Sequence, residues 1–371
     1  MVDISRGGLD SRVLAWLRLP LAVLVVFIHT NYPQQSMPVY LVGNFLSNGL
    51  AYIAVPAFFF ISGYLFFAKY QSFGAHEYMS AMSNRFFSLA VPYFLWIFLV
   101  FYGEGFLFGF NPDWYSPRDV YRVFWATHDD ELIHSALGYS FYGEIYPAGY
   151  YSMWFIRDLM VVSACAPLIW WVARRAGMWS IAIFVALYMF NIKIPVDGFG
   201  LVAFTFFPIG ATFAICGKSI SEFAMRYRWA ILTVLGLLLA TVYCLDVSGT
   251  EYDYSLVKLL KLSGLGAMVL AAIGAMQFGN FADAVIMLGE TSMFIYLAHP
   301  FPGIVELGTA TIAPATWWGA LASYLFGALG RVAVCIAIYY LLKLVCPHLL
   351  GLLVGQRNMS ASTQKLVFAK Q

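Results

Sequence analysis

The chain has 371 residues, of which 21 are Lys or Arg and 19 are Asp or Glu, so charged side chains make up 11% of it. A soluble domain carries about 25%, and with hydrophobic residues at 61% a water-soluble enzyme is excluded. The net charge of +2, with no basic tract, gives no basis for nucleic-acid binding.

A membrane-crossing helix needs about 20 apolar residues. Apolar runs occur near residues 13–30, 48–67, 86–108, 150–173, 178–192, 199–217, 229–245, 255–277, 284–307 and 317–343. Lipid offers no partner to an unpaired backbone group, so each run is expected to be helix. The expected fold class is all-α, a polytopic membrane helical bundle of about ten transmembrane helices. Aromatic residues, 18% of the chain, suit interfacial belts as well as lipid-facing surfaces.

The first run follows Arg6, Arg12 and Arg18, and the next loop, around Asn31 to Ser47, is uncharged. Pro20 disfavours helix at Leu19, so the span is expected to start at Pro20, leaving Arg18 at the interface. No small-residue cleavage site follows this run, which is therefore expected to be retained. Basic residues recur after every second span: Lys69 and Arg85, then Arg174 and Arg175, then Lys218, Arg226 and Arg228, then Lys343, Arg357, Lys365 and Lys370. Only the loop near residue 280 lacks Lys and Arg. By the positive-inside rule both termini are expected in the cytoplasm. The whole is expected to be one membrane domain over residues 1–350, with 351–371 a polar cytoplasmic tail.

The loop at 103–149 is too long for a simple connector. It is acidic, with Glu104, Asp113, Asp119, Asp129, Asp130, Glu131 and Glu144 against Arg118 and Arg122. Ser116-Pro117-Arg118-Asp119 reads as the start of a short helix, on which Val120, Val123, Phe124 and Thr127 share a face. Five cysteines (Cys165, Cys216, Cys244, Cys335 and Cys346) lie in or beside apolar runs, with no spacing suited to zinc or a disulfide framework. They read as small buried residues, and no metal is expected.

Ionisable groups inside spans are costly and are functional candidates by default. His29 follows Arg18 by eleven residues, a rise of about 16 Å on one helix. An anion held at Arg18 would leave His29 to act deeper in the membrane; the alternative is an interfacial anchor and a hydrogen-bonded packing residue. His299, in Tyr296-Leu297-Ala298-His299-Pro300, is expected at a comparable depth. Pro300 should free a carbonyl one turn back, a break tolerated where a helix lines a cavity. Ser62, Gly63 and Tyr64 close the second span, where close packing at the glycine explains the motif equally well. After Trp154, Arg157 and Asp158 are adjacent on one helix and so diverge by about 100°. Each is expected to need another partner, such as Arg331 or Glu306. Arg331, in mid-span, is expected to pair with a buried acid or to mark a break.

These pieces together resemble the acyltransferase 3 family of integral-membrane acyltransferases, over about residues 12–350. They are Arg18 and His29 separated by ten residues; Phe59-Phe60-Ile61-Ser62-Gly63-Tyr64; Arg85-Phe86-Phe87 leading to Val91-Pro92-Tyr93; Trp154-Phe155; and Ser292-Met293-Phe294-Ile295-Tyr296-Leu297-Ala298-His299-Pro300. The resemblance is to the short, membrane-only branch. It implies transfer of an acyl group, often acetyl, from cytoplasmic acyl-coenzyme A to a hydroxyl of an extracytoplasmic glycan or glycolipid. It also implies that Arg18 and His29 are essential. The family commonly has a second arginine three residues after the first where this chain has Ser88 after Arg85.

On that basis His29 is expected as general base with Arg18, and Arg18, Arg85, Arg174 and Arg175 as acyl-donor contacts. Ser62, Tyr64, Trp154, Arg157, Asp158, Tyr296 and His299 are expected at the oxyanion or the acceptor. Acetyl-coenzyme A would be a co-substrate, with no tightly bound cofactor. The location implied is the bacterial cytoplasmic (inner) membrane, crossed many times and in contact with its lipid. Direct transfer and an acyl-histidine intermediate both remain open, as do acceptor identity and oligomeric state. A transporter or flippase of lipid-linked glycans is the rival reading from another class.

Overall fold

A computed structural model describes residues 4–32, 37–108, 125, 148–192, 194, 196, 198–248, 254–301 and 316–356. Among the described residues there is no strand, and all ten apolar runs coincide with helices. Seven helices there are long and apolar enough to cross a membrane, or nine if each of two bent pairs is one span. The run at 178–192 forms an 11-residue helix, shorter than a full crossing. The helix expected from Ser116, and Glu306 with it, lie outside the described residues.

Helix α1 (Ile4–Ile28) runs through Pro20 without a break, so the span does not start at the proline. Proline removes one backbone donor. Leu17, Leu21 and Ala22 around it are no more than 1% exposed, and that packing keeps the helix continuous across the missing bond. Helices α2 (Met37–Gly43) and α3 (Ala54–Phe67) form one span through a π-helical stretch at Asn44–Leu50 and a 3-10 turn at Ala51–Ile53. A second π-helical stretch, Phe86–Ala90, joins α4 (Ala75–Arg85) to α5 (Val91–Phe108). Such insertions re-aim side chains and recur at functional sites.

Helices α6 (Ala148–Ala164) and α7 (Ala166–Ala176) meet at 62°. Pro167 has no N–H to return to Ser163, and the ladder fails there. After α8 (Trp179–Met189), α9 (Ala203–Ile215) and α10 (Ile220–Arg226) turn through 103°. Gly217 takes φ +62°, while Lys218 N–H donates to Phe213 O at 2.9 Å and Gly217 N–H to Ala214 O at 3.1 Å, the bonds of a Schellman end. Asp10 of α1 secures the far side of the turn. Its carboxylate, 3% exposed, accepts from Ile220 N–H (3.1 Å), Ser221 N–H (2.9 Å) and Ser219 Oγ (3.1 Å).

The chain continues through α11 (Arg228–Ser248), α12 (Tyr254–Ala275), α13 (Gly279–Leu288), α14 (Ser292–Ala298), α15 (Trp317–Val345) and α16 (Pro347–Val354). Helix α15 is continuous through Arg331, so the arginine marks no break; among the described residues its guanidinium pairs with no acid, and it donates to His29 O at 3.2 Å and to Thr30 Oγ1 at 3.4 Å. The domain boundary expected at residue 350 falls inside α16, where Leu353 and Val354 are buried. Helix α1 is central, packing against α3, α12, α13, α14 and α15.

Candidate active site

Arg18 lies midway along α1, and Arg85 ends α4 just before the second π-helical stretch. They line one cavity of about 420 Å³ together with Ser62, Ser88, Glu290 and Tyr296. Arg85 donates to Ser62 O at 3.4 Å and stacks over the Phe66 ring at 5.2 Å. Glu290 is held by Lys343 at 2.8 Å. An adjoining groove of about 260 Å³ shares Leu65, Arg85 and Ser88 and adds Lys69. Ser88, at the position of the absent second arginine, thus stands on the wall of the cavity.

His29 follows the last residue of α1, in a turn closed by His29 N–H donating to Val26 O at 3.2 Å. Carbonyls at a helix end need outside donors, and here three are given one. Thr30 Oγ1 donates to Val26 O (2.7 Å), Ser47 Oγ to Phe27 O (2.6 Å), and Arg331 to His29 O. Ser47 comes from the first π-helical stretch and also meets Tyr324 OH at 2.8 Å. The backbone that carries His29 is therefore fixed by its own turn and by two other elements, the first π-helical stretch and α15.

The His29 ring lines a second cavity of about 160 Å³, with Tyr52, Trp154, Lys261 and Tyr296 among its walls. Tyr296 lines both cavities. It is 5% exposed, and its ring meets Phe155 edge-on at 5.3 Å. One phenol thus divides an arginine-lined space from a histidine-lined one. His299 is fully buried behind His29, the ring centroids 5.3 Å apart.

The remaining candidates stand elsewhere. Tyr64 OH approaches Asp10 at 3.5 Å and so belongs to the cap of α10. Arg157 and Asp158, 2% and 1% exposed, are partners of each other, contrary to the expectation from their spacing. Nε and Nη2 of Arg157 donate to Asp158 Oδ1 at 3.1 and 2.9 Å, and Nη1 donates to Trp125 O at 2.7 Å. Adjacent Cα–Cβ vectors do diverge, but a guanidinium on three methylenes folds back across that angle. Arg174 and Arg175 stack over Trp170 and Trp171 at the end of α7 and line neither cavity. Among the described residues no group of acids, histidines and cysteines is placed to hold a metal.

Lys261, Tyr52 and Glu290 were not singled out by sequence. The signal existed for two of them, since a lysine at 261 and a glutamate at 290 interrupt apolar runs as His29 does. What could not be read was which side chains turn toward a cavity.

The family model described as an acyltransferase domain, that of acyltransferase 3, matches residues 12–340. The chain belongs to the acyltransferase 3 family. No curated protein and no solved structure matches it. The match covers the segments that carry Arg18, His29, Arg85, Tyr296 and His299, so the second cavity of this multi-pass membrane acyltransferase lies wholly within family sequence, and the first does apart from Val354, Gly355 and Gln356.

Proposed function

We propose that the protein is an O-acetyltransferase. It moves an acetyl group from cytoplasmic acetyl-coenzyme A to a hydroxyl of an extracytoplasmic glycan or glycolipid. The observation that supports this reading most is the pair of cavities that share Tyr296 as a wall. A membrane acyltransferase with its substrates on opposite faces needs two entrances that meet at one reacting carbonyl.

The arginine-lined cavity suits the donor. Lys69 and Arg85 lie on the side that the positive-inside rule assigns to the cytoplasm, and guanidinium groups bind phosphate through paired N–H donors. The thioester would then lie beside Tyr296. From the other cavity, with its Trp154, Tyr52 and Lys261 walls, the acceptor hydroxyl would meet His29.

His29 takes the hydroxyl proton as the oxygen attacks the thioester carbonyl. The new C–O bond forms, the oxyanion collapses and the C–S bond breaks. The proton then passes to the leaving thiolate, giving free coenzyme A and the acetyl ester. Tyr296 OH would donate to the oxyanion, with Ser62 on the same cavity wall.

Membrane vesicles containing the protein, given radiolabelled acetyl-coenzyme A, should transfer label into alkali-labile ester. His29→Ala should abolish this and Arg18→Ala should raise the KM for acetyl-coenzyme A. Wild-type transfer by His29→Ala would sink the assignment of the base. Glycolipid accumulation in proteoliposomes without any acyl donor would favour a transporter instead.

A further inference from the structure

His299 occupies an unusual electrostatic position that follows from the residue after it. In a helix, the N–H of residue 300 would bond to the carbonyl of Tyr296. Proline at 300 has no N–H, so that carbonyl is left over. The His299 ring turns back to it, with Nδ1 2.9 Å from Tyr296 O and 3.0 Å from Ile295 O. A carbonyl oxygen only accepts. Nδ1 must therefore carry the ring hydrogen, and in the neutral imidazole Nε2 is left as a bare acceptor.

That Nε2 has no hydrogen-bond partner among the described residues, although His299 is fully buried. A buried acceptor without a donor is destabilising, and such an atom asks for an explanation. His299 lines neither cavity, so an acceptor hydroxyl does not reach it directly. His29 stands between it and the second cavity. At a centroid spacing of 5.3 Å, ring nitrogens turned toward each other lie about 3 Å apart, which is hydrogen-bond length. The χ2 torsion of histidine is soft, and the backbone of His29 is already fixed by Ser47, Thr30 and Arg331.

We propose that His299 is a positioning residue whose Nε2 accepts a ring N–H from His29 and thereby fixes the nitrogen with which His29 receives the substrate proton. This rests on the reading of His29 as the general base. One ring nitrogen of His29 keeps its hydrogen and donates it to His299 Nε2. The other holds the lone pair that takes the hydroxyl proton, and the resulting imidazolium is stabilised by the same hydrogen bond. No proton moves onto His299. The arrangement also removes His299 from the oxyanion, because its only ring hydrogen is already committed to two carbonyls.

Three substitutions and one spectrum test this. His299→Phe fills the same space without an acceptor and should lower kcat on the order of a hundredfold, with the KM for acetyl-coenzyme A unchanged. His299→Gln offers an amide oxygen near the Nε2 position and should stay within about tenfold of wild type. Pro300→Ala returns an N–H to Tyr296 O, releases Nδ1 and should lower kcat, again without moving KM. In ¹⁵N-histidine spectra the wild-type protein should contain a neutral imidazole protonated on Nδ1 that is lost in His299→Gln. A folded His299→Phe with wild-type kcat overturns the proposal, as does a wild-type spectrum with His299 protonated on Nε2, whatever the variants do. His29→Ala separates the two levels. If it retains transfer, the base itself is misassigned; if it is dead while His299→Phe is fully active, only the positioning role fails.

Discussion

Gly63 of α3 lies against the backbone carbonyl of Phe207 on α9, so closely that a Cβ there would overlap it. The relationship is reciprocal, since Gly210 of α9 stands in the same way to Phe60 of α3. Without a hydrophobic drive between helices in lipid, close backbone approach through small residues is what brings them together. The glycine in the motif that ends the second span is thus explained by packing, and it seats Ser62 on the wall of the arginine-lined cavity. Gly63→Ala and Gly210→Ala should each destabilise the protein by about 1–3 kcal/mol, read as a lower melting temperature in detergent. Gly236 and Gly274 sit in helices with nothing within 4 Å of an added Cβ. Alanine there should be neutral or gain up to about 1 kcal/mol.

The buried Arg157–Asp158 pair leads to a second expectation. Removing one partner of a buried pair leaves an uncompensated charge, at a cost of about 3–5 kcal/mol. Asp158→Asn should therefore melt well below wild type, and Arg157→Lys should lose most of the geometry because an ammonium cannot span both contacts. Gly200 is part of the same arrangement, since a Cβ there would overlap Asp158 Oδ2. If Asp158→Asn keeps the wild-type melting temperature but raises the acceptor KM, the pair serves the substrate rather than the fold.

These two cases mark how far the sequence could be read. Runs of apolar residues located the helices, because lipid leaves the backbone no alternative. The rarity of charge pointed to Arg18, Arg85, His29 and His299; the fold brings the first three to two adjoining cavities and sets His299 against the ring of His29. Pro300 was read correctly as freeing a carbonyl, although the ring that takes it was not foreseen. Side-chain direction was not legible. Arg174 and Arg175 share the sign of Arg85, yet stack on tryptophans and do not line the cavity that holds Arg85. Pro20 carries the same local signal as Pro167, but only the second ends a helix. The first is clamped by fully buried neighbours, a tertiary effect that local propensity does not contain.

Lys261 brings an ammonium to the wall of the His29 cavity, 5.3 Å above the ring of Tyr52. It is 9% exposed, and a charge held there at a cost is suited to a polar or anionic group of the acceptor. A hydrogen bond to a charged group contributes about 1.5–3 kcal/mol. Lys261→Met should therefore raise the acceptor KM by roughly tenfold or more, leaving the KM for acetyl-coenzyme A where it was. Steady-state rates with the acceptor varied at saturating donor give the answer. An equal rise in both KM values would mean that the lysine supports the bundle rather than the acceptor.

Tyr296 should respond differently to loss of its hydroxyl and loss of its ring. Tyr296→Phe keeps the wall and removes a donor; if that donor serves the oxyanion, kcat should fall on the order of 10²–10³ with little change in either KM. Tyr296→Ala removes the wall itself and joins the two cavities into one. Water entering from the acceptor side would then reach the thioester, so acetyl-coenzyme A should be hydrolysed in the absence of any acceptor. Release of free thiol from vesicles without glycan, compared among the three proteins, measures this directly. Hydrolysis by Tyr296→Ala but not by Tyr296→Phe would assign the partition to the ring. Hydrolysis by neither would mean that donor and acceptor do not meet at Tyr296, and the path between Arg18 and His29 would have to be sought elsewhere in the bundle.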